Sequence, residues 1–348
     1  MKLKKQVKWF LVIVIVMTVI FQVGRQFFKE EEWLIRNYVH DQVKSVFPKA
    51  NEKVMAGYGL IPYTSETRSV PNSSDSPKKP VVVLIHGLDE PVQVWFNLAP
   101  VLSDNGYQVL YMRYPNDQNI AASARFFFNC LSNWPFGSQD TLAVVGHSMG
   151  GLVTRQMLTD PDINYKQAQA SGQVPPMKNL IMAGTPNHGS ELARFRFFME
   201  IRDQANLIME GEGHWLQFLL DGTGAAGVDL IPGSTFLTRL NSRLHPDGVD
   251  LHVIAGILSP WSDYKIKSFM GKLGTYMPND KKLDGFESAL KKMNNTIGDG
   301  LVTIESARLE NVPLTQVKGS HMTMIRNLTQ ESERVPPAIP VILDILKD

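Results

Sequence analysis

Cysteine is almost absent: the 348-residue chain has one, Cys130. No intramolecular disulfide can form, so the fold depends on its core, although a single cysteine does not exclude an oxidising compartment. Cys130 sits among Phe126, Phe127, Phe128 and Leu131 and reads as a small buried side chain rather than a nucleophile. An excess of charge is also missing. Lys and Arg number 35 against 34 Asp and Glu, leaving +1, so no large basic field points to nucleic acid. No zinc spacing of the H-E-x-x-H kind and no G-x-x-x-x-G-K-[ST] phosphate loop is present. No obligatory cofactor and no metal site are therefore expected. Internal repeats and low-complexity tracts are absent too.

One long apolar run stands at the N-terminus. Lys2, Lys4, Lys5 and Lys8 precede Trp9 to Val23, interrupted only by Thr18 and Gln22. A cleaved signal peptide needs a small-residue site after such a run, yet Gly24, Arg25, Phe27 and Phe28 follow. The run is slightly short of the roughly 20 residues of a full span unless the two phenylalanines anchor its far end. The reading favours an uncleaved signal-anchor over 1–27, with a secreted enzyme as the alternative. The lysines then face the cytoplasm and the rest of the chain lies on the other side. Residues 28–47 have the pattern of a juxtamembrane helix or of one packed on the domain. Residues 54–63 can supply a leading strand, and Pro71 to Pro80 forms a polar, proline-bounded linker.

From residue 80 to the C-terminus strands and helices alternate, predicting an α/β domain with a mostly parallel sheet between helices. Strands are expected over 81–85, 107–112, 141–145, 179–183, 251–257 and 313–318. Helices are expected over 92–104, 120–132, 149–158, 235–243 and 338–347, with Pro161 ending the third. Two inserts break the alternation. The first, about 191–228, is rich in Phe, Met, Leu and Trp and ends in a glycine-rich joint. It suits a helical cap over an acyl-binding cleft, with an extra pair of core helices as the alternative. The second, 259–297, carries Trp261, Tyr264, Phe269 and Tyr276 among lysines.

The chemistry lies in two runs. Leu142 to Val145 is an apolar strand feeding Gly146-His147-Ser148-Met149-Gly150, with a helical pattern after it. By chance G-x-S-x-G falls in about one chain in ten of this length, with glycine and serine each about 7% of residues. The flanking strand and helix make it a nucleophile elbow, whose sharp turn lifts the Ser148 hydroxyl clear of the backbone. Side chains at Gly146 or Gly150 would crowd that turn. A serine nucleophile needs a base, and the base an orienting acid. Asp299, in Gly298-Asp299-Gly300, and His321, after a last strand, supply them in the order Ser, Asp, His. Upstream, Val81 to Ile85 is a strand buried on both faces that ends in His86-Gly87-Leu88. The backbone N–H groups of Leu88 and Met149 are the expected oxyanion donors. His86 reads as a structural turn residue, and His147 as lying inside the elbow and pointing away from the nucleophile. His188 lies near the site without a direct role. His40, His214, His245 and His252 lack a catalytic context.

The runs VVLIHGL, GHSMGG, GTPNHGS at Gly184 to Ser190 and GDGLV at Gly298 to Val302 resemble the α/β-hydrolase superfamily. Within it they are most similar to the lipase-like branch of bacterial triacylglycerol lipases and GPI inositol-deacylases. The resemblance covers residue 80 to the C-terminus with interruptions. It implies an α/β-hydrolase fold and an ester or thioester hydrolase with Ser148, His321 and Asp299 as catalytic triad. Many α/β-hydrolases place the acid near Asp263, after the 251–257 strand, but GDGLV matches the lipase pattern and favours Asp299. A single His-Gly followed by bulky Leu88 resembles hydrolases of medium or long acyl chains, which together with the apolar insert favours a lipid-like ester. A thioesterase or acyltransferase on the same triad, and a non-catalytic membrane-anchored binding protein, are the alternative functions. Oligomeric state is not legible.

Overall fold

The computed structural model describes residues 57–64, 79–88, 92–116, 118–190, 225–258, 268 and 298–347. The expected anchor over 1–27, the helix over 28–47, most of the 191–228 cap, and Asp263 in the second insert lie outside them. Among the described residues no helix is long and apolar enough to cross a membrane.

Among the described residues seven strands form one sheet: β1 (Gly59–Pro62), β2 (Val81–Ile85), β3 (Val109–Arg113), β4 (Leu142–His147), β5 (Met177–Ala183), β6 (Asp250–Ile257) and β7 (Leu314–Lys318). Their spatial order is β1-β3-β2-β4-β5-β6-β7. Only β1 runs antiparallel to its neighbour; every other pair is parallel. Because β1 pairs with β3, the sheet draws on residues before position 80, where the catalytic domain is expected to begin.

The helices are α1 (Leu98–Asp104), α2 (Ile120–Asn133), α3 (Met149–Thr159), α4 (Tyr165–Ala170), α5 (Ala225–Asp229), α6 (Thr235–Asn241), α7 (Ile304–Ala307) and α8 (Ala338–Ile345). The continuous Val-rich runs are explained by burial on both sides. Along β2, Val81, Val83 and Ile85 enter one core with Phe127 and Leu131 of α2 and Leu152 and Met157 of α3. Val82 and Leu84 alternate into a second core with Leu98 and Leu102 of α1 and Ile339 and Ile342 of α8. The period-two geometry of a strand thus feeds two layers at once.

One expected helix divides. Instead of a helix over 92–104, a short 3₁₀ turn over Val92–Trp95 precedes α1. Pro100 is the reason: it lacks an N–H, so it is tolerated in the first turn of α1 but not inside a longer helix. Pro161 acts as expected. α3 ends at Thr159, and Asp160 before the proline is extended. The second insert leaves after β6 and returns beside it, since Leu258 N–H donates to Gly298 O at 2.5 Å.

The first insert returns into α5, whose last residue, Asp229, is buried. Its Oδ2 accepts the Ile120 N–H at the start of α2 (2.8 Å). Burial pushes its carboxyl up to about 7 against the lowering effect of that hydrogen bond. A carboxyl raised on folding contributes stability at low pH and loses it as pH rises through the folded value. The wild-type Tm should therefore fall between about pH 4 and 7 relative to Asp229→Asn, which keeps an acceptor for Ile120. Above pH 7 the variant should be the more stable by up to a few kcal/mol. Parallel Tm curves for the two proteins would remove the buried-acid account.

Candidate active site

Parallel strands that alternate with helices deliver their C-terminal ends to one edge, where ligands of such sheets sit. Ser148 follows β4 there, with φ 53° and ψ −126°. Among the described residues only Ser148, Asn164 and Asn311 have positive φ without being glycine. Asparagine tolerates that region and serine does not, so the turn stores about 1–3 kcal/mol of strain. The turn closes against bare backbone. A Cβ on Gly146 would lie 2.5 Å from Gly151 N, and one on Gly150 would run into Ile85 O and His86 O. Ser148 makes no capping hydrogen bond to α3. Its hydroxyl is left for other work, and Met149 N–H stands among the unpaired donors of the first helical turn.

His321 and Asp299 meet across that edge. His321 Nδ1–H donates to Asp299 Oδ2 at 2.7 Å, with the two residues 22 apart in sequence. Asp299 is 1% and His321 5% exposed. The other carboxylate oxygen accepts Leu301 N–H (2.9 Å) and Val302 N–H (2.7 Å), and the pair is tied again by His321 N–H to Asp299 O (2.9 Å). A buried carboxylate with its lone pairs so filled is held in one orientation. Space for the pair comes from two missing side chains. A Cβ at Gly184 would lie 3.1 Å from Asp299 Oδ2, and one at Gly256 2.7 Å from Asp299 Cβ. Ser148 is fixed beside Gly184 through its own N–H, which donates to Ala183 O (2.9 Å).

The loop after β2 is pinned by its carbonyls. Tyr114 Oη donates to His86 O (2.7 Å), while His86 Nδ1 and Asn116 Nδ2 donate to Gly87 O (2.9 and 3.2 Å). His86 also stacks on Tyr114 with ring centroids 4.8 Å apart. This agrees with His86 as a turn residue and fixes the peptide that precedes Leu88.

His147 makes a contact that the sequence did not mark. It is fully buried, and its Nε2–H donates to His321 O at 2.8 Å. Its ring lies 4.6 Å from that of His321, with Trp95 edge-on behind it at 6.4 Å. His147 therefore braces the backbone of His321.

Sequence reasoning also missed Arg155, two turns along α3. This buried guanidinium donates to Asn187 Oδ1 (2.9 Å) and Asn241 Oδ1 (3.1 Å). Burial lowers its pKa to about 10. Asn187 Nδ2 reaches on to Ala307 O (2.7 Å), Ser190 Oγ donates to Leu301 O, and Ser306 Oγ donates to Gly189 O (2.5 Å). GTPNHGS is thus a buttress joining α3 to the Asp299 turn. His188 in it faces outward and bonds Arg308 O (3.0 Å). An arginine on an otherwise apolar helix face was the available signal. Cys130 is half-buried, and burial pushes its thiol up to about 11, which suits packing rather than nucleophilic chemistry. Among the described residues no group of three His, Cys, Asp or Glu is placed to hold a metal ion.

No protein-family model and no curated protein sequence matches the chain. Solved structures do. Staphylococcus hyicus lipase superposes with a TM-score of 0.53 at 13% identity, over 82% of this chain and 97% of that one. Phospholipase PlaB from Legionella pneumophila gives 0.52 at 17% identity, over 77% of this chain and 60% of that one. Bacillus licheniformis lipase BlEst2 gives 0.49 at 20% identity, over 79% and 95%. At these identities the likeness to the first two establishes architecture, and with the sheet order and the crossovers above it shows that this chain has the α/β-hydrolase fold.

Proposed function

We propose that the chain is a serine hydrolase of carboxylic esters with lipid-like acyl groups. The observation that carries this is the strained Ser148 turn on the same sheet edge as the buried Asp299–His321 pair. In this reading Ser148 Oγ attacks the ester carbonyl while His321 Nε2 takes its proton. Asp299 fixes the imidazole tautomer and stabilises the imidazolium. The N–H groups of Leu88 and Met149 hold the oxyanion. His321 then protonates the leaving alcohol, and water releases the acyl group by the reverse sequence. No cofactor enters. The 191–228 insert serves as the cap. Its apolar residues, and the lipase and phospholipase of like fold, support a lipid-like substrate. Lys2 to Lys8 before an apolar run support an N-terminal anchor over 1–27, with the hydrolase on the non-cytoplasmic side.

One experiment tests both parts. Cells expressing the full chain are fractionated and the carbonate-washed membranes assayed on p-nitrophenyl esters of increasing chain length and on acyl-CoA thioesters. Activity should stay in the pellet and peak at medium or long chains of the oxygen esters. Activity confined to the supernatant overturns the anchor. Thioester turnover without ester turnover replaces the esterase by a thioesterase. No turnover, and no labelling of Ser148 by a fluorophosphonate, leaves the binding-protein reading.

A further inference from the structure

A cavity of about 440 Å³ opens at the C-terminal ends of β2 and β3 and the N-terminal end of the antiparallel β1, next to the loop that carries Leu88. Arg113, the last residue of β3, is on its wall and exposed. Gln93, Asn116, Tyr58 and Tyr111 add amide and phenol groups, and His86 forms the side toward the Leu88 loop. No carboxylate is among the described residues that line it. Among the described residues the lysine–carboxylate pairs are Lys166–Asp247 and Lys347–Asp344, and no carboxylate pairs with Arg113. Burial pushes the Tyr111 hydroxyl up to about 12, so it stays protonated and able to donate. The cavity therefore presents a fixed positive charge and hydrogen-bond donors, with little to compensate an added cation. That is the chemistry that receives an oxyanion.

The register fixes how far this cavity lies from the reacting serine. Ile85 of β2 pairs with Met112 of β3 on one side and with Gly146 of β4 on the other. Arg113 is thus level with His147, and Tyr114 with Ser148. Two strand spacings separate β3 from β4, about 10 Å. An extended chain covers roughly 1.25 Å per bond along its axis, so an ester carbonyl at Ser148 places the cavity about seven to eight bonds away. The Leu88 loop lies between the two points, and its Gly87 carbonyl is held by Asn116 and His86, which both line the cavity.

We infer that this cavity is a subsite for an oxyanion, a phosphate or a carboxylate, carried about seven to eight bonds from the scissile carbonyl of the ester, with Arg113 as its specificity-determining residue. This rests on the hydrolase reading above and narrows it to esters that bear a remote negative charge. Arg113 is not required for the chemical step, so the charge it reads enters binding rather than bond-breaking.

The test compares matched esters on the purified full chain. One pair is 1-butyrylglycerol 3-phosphate against 1-butyrylglycerol. The other is the butyryl ester of 5-hydroxypentanoate against that of 5-hydroxypentanamide. The charged member of at least one pair should be preferred in kcat/KM by about tenfold, through KM, and which pair shows it names the anion. Arg113→Gln should abolish the preference and leave the neutral esters within twofold of wild type. Equal rates for charged and neutral members in the wild type, or an equal loss on both in Arg113→Gln, overturns the subsite. If no ester is turned over, the hydrolase reading fails by itself and thermal unfolding decides the subsite. A rise in Tm with glycerol 3-phosphate or glutarate that Arg113→Gln loses retains it, and no rise in the wild type removes it.

Discussion

Ser148→Ala should fold as the wild type does and lose ester hydrolysis by about four to six orders of magnitude in kcat, since removing a triad serine costs that much in such enzymes. The fold should be indifferent because the Ser148 side chain caps nothing in α3. The backbone, however, remains at φ 53° with an alanine in place, so the strain stays. Ser148→Gly separates the two effects. Glycine occupies positive φ without the Cβ penalty, so this variant should be as inactive as Ser148→Ala but more stable, by about 1–3 kcal/mol. Turnover of p-nitrophenyl butyrate and thermal unfolding of the three proteins read both quantities. Activity of Ser148→Ala within a few-fold of wild type would remove Ser148 from the chemistry. A glycine variant no more stable than the alanine one would show that the turn is not strained. The pairing of inactivity with added stability is what a backbone held out of its preferred region for function should produce.

The parts of this molecule that were legible in the sequence share a cause. β2 and β4 are runs of four or five apolar residues because both faces of each are covered, and a buried parallel strand leaves no room for another pattern. The elbow was legible because Gly146 and Gly150 approach the neighbouring backbone too closely for any Cβ. The pairing of Asp299 with His321 was legible through a glycine-flanked turn and a residue just past a strand. What escaped has no such local mark. Pro100 divides the helix expected over 92–104, because it fits only a first turn. β1 was only one option for residues 54–63, since an edge strand of four residues has little periodicity. His147 acts through a contact with a residue 174 positions away, and Arg155 through Asn187 and Asn241 on separate segments. Hydrogen bonds at such separations are made by the tertiary fold, and a sequence pattern reports only what its neighbours share. The same holds for Arg113. A lone arginine at a strand end shows nothing of the cavity that Tyr58, Ile61 and His86 line with it.

Asp299→Asn should reduce kcat by about 10⁴-fold at neutral pH, while Asp263→Asn should stay within a few-fold of wild type. The asparagine keeps one oxygen to accept the Leu301 and Val302 N–H groups that Asp299 Oδ1 accepts at 2.9 and 2.7 Å. The turn should therefore survive, and Tm should change little. What changes is the atom facing His321. Where Oδ2 now accepts Nδ1–H at 2.7 Å, an amide NH2 would donate. Nδ1 must then be the acceptor, and the proton moves to Nε2, the atom that takes a proton from Ser148 in the proposed mechanism. An imidazole in that tautomer is no base for the serine, and an imidazolium formed there has lost the buried negative charge that stabilised it. Asp299→Ala confounds this loss with collapse of the turn, since it frees two buried N–H groups at about 1–3 kcal/mol each. The asparagine is therefore the informative change. Measured side by side for kcat and Tm, an inactive Asp263→Asn together with an active Asp299→Asn would transfer the acid's role to the loop after β6. An inactive but well-folded Asp299→Asn with an active Asp263→Asn fits one tautomer-fixing carboxylate, and the burial of the Asp299–His321 pair at 1% and 5% exposure leaves water little chance of standing in for it.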